Sequence, residues 1–109
     1  MEAPHEPYSG FANYQTWCVH WWLESDQEIA RRCRELATQA TTIVQEASRI
    51  VDGIGATAEA KRNFLADRLS EFVDEFNPVA NETTLFSDLM GTALGEVDWH
   101  EIADAFLKP

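Results

Sequence analysis

The 109 residues carry 19 Asp and Glu against 8 Lys and Arg, a net charge of −11, and 45% of them are hydrophobic. That length suits one domain with a real core, and the apolar share excludes a globally disordered chain. So acidic a chain repels duplex nucleic acid and anionic membrane, which excludes direct binding to either as an expectation. Cys18 and Cys33 make neither a disulfide framework nor a CxxC pair. Met1 to Pro7 lacks the basic and apolar regions of a signal peptide, and no apolar run has the length of a membrane span. A cytoplasmic address is the expectation.

Residues 1–12, with Pro4, Pro7 and Gly10, read as an extended N-terminal arm, and residues 13–109 as a single helical domain. Asn13 is placed to cap a helix over Tyr14 to Glu24, in which Tyr14, Trp17 and Trp21, flanked by Cys18 and Trp22, recur at helical spacing. Ser25-Asp-Gln-Glu28 reads as a capping box for the longest helix. Its apolar positions Ile29, Cys33, Leu36, Ala40, Ile43, Ala47 and Ile50 alternate steps of four and three, a heptad seam widened by Val44 and Val51. Asp52-Gly-Ile-Gly55 stops it.

A third helix is predicted from about Ala58 to Phe76, with Phe64, Leu65, Leu69, Phe72, Val73 and Phe76 inward and Asn77-Pro78 as its end. A fourth runs from near Thr84 to Leu94, its apolar side marked by Leu85, Phe86, Leu89, Met90 and Ala93, and Gly95 closes it. Asp98 and Glu101 repeat the cap-and-return pattern and open a terminal helix with Trp99, Ile102 and Phe106 inward. No alternating run of β-branched residues suggests a strand. The fold class is all-α, a compact bundle of about five helices with a long central helical hairpin.

No residue pattern supplies catalysis or a cofactor. The Cys18-x-His20 spacing points the two side chains to opposite sides of a helix, and there is no second close pair for a zinc site. Gly53-Ile-Gly55 lacks the Lys and Ser or Thr of a phosphate loop. A nucleophile with a positioned base has no recognisable context, so no enzyme, metal or cofactor is expected. The basic residues lie among acids at helical spacing, as in Glu28 with Arg32, Arg31 with Glu35, Glu46 with Arg49 and Glu59 with Arg62, which reads as local ion pairing.

The charge is uneven. Between Leu69 and Pro109 nine acids face the single base Lys108. Glu71, Asp74, Glu75, Asp88, Glu96, Asp98, Glu101 and Asp104 are the candidate partner-binding residues, because converged carboxylates can imitate a phosphate array before an Arg- and Lys-lined groove.

The stretch Asn13-Tyr-Gln-Thr-Trp-Cys-Val-His-Trp-Trp-Leu-Glu-Ser-Asp26 resembles the opening of a group of small proteins from phages, plasmids and prokaryotic genomes. Asn13, Tyr14, Thr16, Trp17, Val19, Trp22, Leu23 and Asp26 follow that pattern, with Gln15 where the group usually has Glu. Leu85 to Ala103, which contains Glu96-Val-Asp-Trp-His-Glu-Ile-Ala103, is similar to the same group's C-terminal block. The resemblance covers about a third of the chain. It implies a mobile-element setting and no particular activity. Setting and charge together give the expected function: a non-enzymatic inhibitor of the anti-CRISPR or anti-restriction type, binding a basic surface of a host nucleic-acid-binding protein or nuclease complex. The alternative is a structural or accessory protein that self-associates as a homodimer through the heptad seam, with acidity serving solubility.

Overall fold

Asn13 begins the first helix, α1 (Tyr14–Ser25), as its position predicts: its carboxamide oxygen accepts the Thr16 backbone N–H at 2.9 Å. The computed structural model describes residues 7–50 and 58–108, the side chains of Pro7, Ser9, Ser48, Arg49 and Ile50 excepted. Of the expected arm, residues 1–6 lie outside the described residues, while Pro7–Gly10 form a 3-10 turn. Gly10 ends that turn at φ 92°, a backbone conformation that favours glycine.

The second helix, α2 (Gln27–Ile50), does not use the expected capping box. Ser25 is the last residue of α1, and its hydroxyl donates to the Trp21 carbonyl at 2.6 Å. Asp26 caps α2 instead, accepting the N–H groups of Glu28 and Ile29 at 2.9 and 3.0 Å. A carboxylate satisfies two orphan donors at once and carries the charge that a helix N-terminus favours. Within α2, Cys33, Leu36 and Ala40 of the expected seam are buried, but Ile43 is 48% exposed. Ala30, Ala37 and Val44 are buried beside them. The buried stripe drifts around the helix, as a 3.6-residue period does relative to a strict heptad.

Helix α3 (Ala58–Phe76) keeps the predicted bounds and buries Leu65, Ala66 and Leu69. The predicted stop at Asp52 to Gly55 lies outside the described residues. Thr41 of α2 lies near Ala58 and Lys61, and Arg32 near Phe72 and Glu75, so α2 and α3 run antiparallel as the central hairpin. After the turn at residues 77–84 comes α4 (Leu85–Gly95), then α5 (Trp99–Leu107). The shared core joins Leu23 of α1, Cys33, Leu36, Ala37 and Ala40 of α2, Leu65, Ala66 and Leu69 of α3, and Ile102, Ala103 and Phe106 of α5, with Val97 from the α4–α5 link. The Cys33, Leu36 and Ala40 part of the seam is therefore buried inside its own chain, in the core shared with α3 and α5. The described residues form an all-helical bundle of five α-helices and include no strand. None of their helices is long and apolar enough to cross a membrane.

Candidate binding surfaces

Among the described residues, a connected group of polar side chains joins the start of α1 to the start of α5. Thr16, fully buried, donates its hydroxyl to Asn13 Oδ1 at 2.7 Å and accepts the Asp98 backbone N–H at 2.9 Å. Asn13 Nδ2 donates to the Glu96 carbonyl at 2.7 Å, and Glu101 Oε1 accepts the Ala12 N–H at 2.8 Å. Asp98 caps α5 as predicted, taking the N–H groups of His100 and Glu101 at 3.1 and 3.2 Å. The predicted return bond from Glu101 to the Asp98 N–H is replaced: Thr16 of α1 takes that donor, and Glu101 is left to hold the chain before α1. Asn13, Thr16, Asp98 and Glu101 thus weld α1 to α5.

This arrangement divides the eight candidate carboxylates. Asp98 and Glu101 belong to the weld, Asp104 pairs with Arg62 at 3.0 Å, and Glu71 pairs with Arg68 at 2.8 Å. Asp74, Glu75, Asp88 and Glu96 are exposed and make no side-chain ion pair with a described residue. Glu71 and Glu75 share the rim of one hollow with Arg32 and Arg68, and Glu101 and Asp104 border another beside Phe11. Among the expected ion pairs, Arg31 bonds both Glu35 and, at 2.8 Å, Glu28. Arg32 reaches Glu35 at 3.3 Å in preference to Glu28, and Arg62 crosses to Asp104 in preference to Glu59. The Glu46–Arg49 pair lies outside the described residues, because the Arg49 side chain does.

The aromatic residues of α1 part company. Trp17 is buried and Trp99 packs on the core, but Tyr14 is exposed and Trp22 is 60% exposed. Trp21 and Trp22 stack edge to face with centroids 5.0 Å apart. Helix α1 spreads its rings over more than one face, so it cannot turn all of them inward.

Helix α4 departs furthest from expectation. It buries no residue, and Leu85, Phe86, Leu89 and Met90 are 67%, 69%, 59% and 38% exposed. Its caps hold it locally: Thr84 Oγ1 accepts the Ser87 N–H at 3.1 Å, and Ser87 Oγ accepts the Thr84 N–H at 2.8 Å. Only Leu94, near its C-terminal end, packs at the edge of the core. On the body of the molecule, Cys18, Val19, Trp22, Ile29, Val73 and Phe76 line an open, mainly apolar groove of about 510 Å³. The sequence signal for both features was present in retrospect: α4 has one charged residue, Asp88, and α1 has more rings than one face can hold.

Two remaining groups are shaped by burial. Cys33 is fully buried and its thiol is pushed up to about 12 by burial, with the Glu24 carboxylate adding to the effect. His20 lies between Phe11 and Phe106, at centroid distances of 4.9 and 5.6 Å. Burial lowers its pKa below the ordinary histidine value, opposed by Glu24. Among the described residues no three His, Cys, Asp or Glu side chains are grouped to hold a metal ion. No protein-family model, curated protein or solved structure matches this chain.

Proposed function

We propose that the chain is a non-enzymatic binding protein whose partner presents a basic protein surface. The observation that carries this is the set Asp74, Glu75, Asp88 and Glu96, exposed and without an ion pair to a described residue, on a chain of net charge −11. Such carboxylates gain most when a partner's Arg or Lys meets them, and the summed field speeds encounter with a positive surface. Four polar residues of the two distinctive segments, Asn13, Thr16, Asp98 and Glu101, are occupied in joining α1 to α5, which supports a structural role for them over a catalytic one. The partner class we propose is a host nucleic-acid-handling protein, with the chain acting as a phage- or plasmid-encoded inhibitor of the anti-CRISPR or anti-restriction kind. Charge and the resemblance of the terminal blocks support that setting.

Of the eight candidate carboxylates we take Asp74, Glu75, Asp88 and Glu96 as the contact set, because Glu71, Asp98, Glu101 and Asp104 already have partners within the chain. The test is capture from a prokaryotic lysate at low and high salt, comparing the wild type with Asp74→Lys, Glu75→Lys, Asp88→Lys and Glu96→Lys combined. A nucleic-acid-handling protein captured at low salt, released at high salt and lost on charge reversal is the expected result. Binding that survives both salt and reversal refutes the proposal.

A further inference from the structure

We propose that α4 of one chain docks in the α1–α3 groove of a second copy, and that two copies exchange helices reciprocally to form a closed dimer. This goes beyond the function proposed above and rests on different residues. An α-helix as short as α4 is marginal in water unless an apolar face is packed, yet α4 buries none. The same molecule carries the complement, an open apolar groove with Trp22 and Phe76 at 60% and 53% exposure.

The area suffices. At ~200 Å² for a large side chain, the exposed parts of Leu85, Phe86, Leu89, Met90, Trp22 and Phe76 come to roughly 700 Å². With a polar rim this approaches the ~800 Å² per partner of a standard stable interface. Charge selects the same place. Two chains of −11 repel wherever carboxylates face each other, but α4 carries only Asp88, and the groove only Asp26, which is engaged in capping α2. A helix-for-groove exchange is self-complementary under a two-fold axis and leaves neither surface open.

The test is sedimentation of the full chain, with Leu89→Asp removing the helix contact and Trp22→Asp the groove contact. Both side chains are exposed, so both variants should keep wild-type helicity. The wild type should sediment at twice 12.3 kDa, and each variant should weaken dimerisation about tenfold or more. Mixing the two variants should restore partial pairing, since one intact helix then meets one intact groove. A monomeric wild type overturns the proposal, as does growth into open assemblies. A Trp22→Asp chain that dimerises like the wild type also overturns it, because α4 would then be pairing with α4. Should Trp22→Asp lose helicity, alkylation of Cys18 in the groove gives an independent reading. It should be slower in the wild type than in Leu89→Asp, and equal rates overturn the docking.

Discussion

Replacing Thr16 by Val keeps the shape of the side chain and deletes its hydroxyl. In the native protein that hydroxyl donates to Asn13 Oδ1 at 2.7 Å and accepts the Asp98 N–H at 2.9 Å, at a site with no solvent exposure. One net hydrogen bond is worth about 1 kcal/mol, and a donor left unpaired away from water costs about 1–3 kcal/mol. The substitution therefore costs about 2–4 kcal/mol, a large share of the ~5–15 kcal/mol that holds a domain folded. The corresponding fall in Tm is on the order of 15 °C. Thr16→Ser keeps the hydroxyl and loses one methyl, for about 1 kcal/mol. Urea unfolding followed by far-UV circular dichroism should rank the wild type first, Thr16→Ser next and Thr16→Val last. Asn13→Ala alone should cost about 1 kcal/mol as a lost cap. Combined with Thr16→Val it should cost less than the two single losses together, since both remove the same bond. If Thr16→Val matches Thr16→Ser, the weld between α1 and α5 carries no energy and the reasoning fails.

Three further outcomes follow from burial. His20 has a folded pKa below its unfolded value of about 6.5, so the unfolded chain takes up the proton more readily. Stability should accordingly fall as pH drops below about 6.5 and level off once the folded imidazole also protonates; His20→Gln should flatten that part of the urea-midpoint profile. Native alkylation at neutral pH should label partly buried Cys18, at the rate its groove allows, and spare Cys33, whose thiol burial pushes up to about 12, until the chain is unfolded; mass spectrometry of the labelled peptides reads this directly. Ala40→Leu, at a position with no exposure, should cost about 1–3 kcal/mol by overpacking, whereas Ile43→Lys, 48% exposed, should change the unfolding midpoint little.

What could be read in the sequence was what is decided locally. Asn13 and Asp98 were legible as caps because a cap satisfies donors two or three residues ahead, and α3 ends where Pro78 makes continuation unfavourable. The start of α2 was misplaced by one residue because Ser25 and Asp26 are both good caps, and the choice depends on Ser25 bonding back to Trp21. Thr16 was invisible as a structural residue: its second partner, Asp98, lies 82 positions away. The eight candidate carboxylates were a matter of composition: Asp98 and Glu71 are bonded by neighbours in sequence, but the long-range partners of Glu101 and Asp104 could be seen only in the fold. The apolar stripe of α4 was read correctly as a stripe. That it faces outward depends on which helices fill the core first, and α1, α2, α3 and α5 already do so.

The acidic and apolar surfaces respond to salt in opposite directions, which separates their roles in one titration. Two chains of −11 must come together to bury α4, so their mutual repulsion weakens the dimer at low ionic strength. Raising salt shortens the screening length from ~30 Å at 0.01 M to ~10 Å at 0.1 M, which should tighten self-association. Binding to a basic partner depends on the same long-range field with the sign reversed and should weaken over that range. Sedimentation equilibrium and partner capture on the same samples should therefore diverge as salt rises. A dimer that loosens with salt would mean that ion pairs, and not the apolar faces of α4 and the groove, hold the two copies together. The charge-reversed chain gives the converse check. With Asp74, Glu75, Asp88 and Glu96 all replaced by Lys its net charge falls from −11 to about −3, so its dimer should lose most of its salt dependence while its capture of a basic partner disappears.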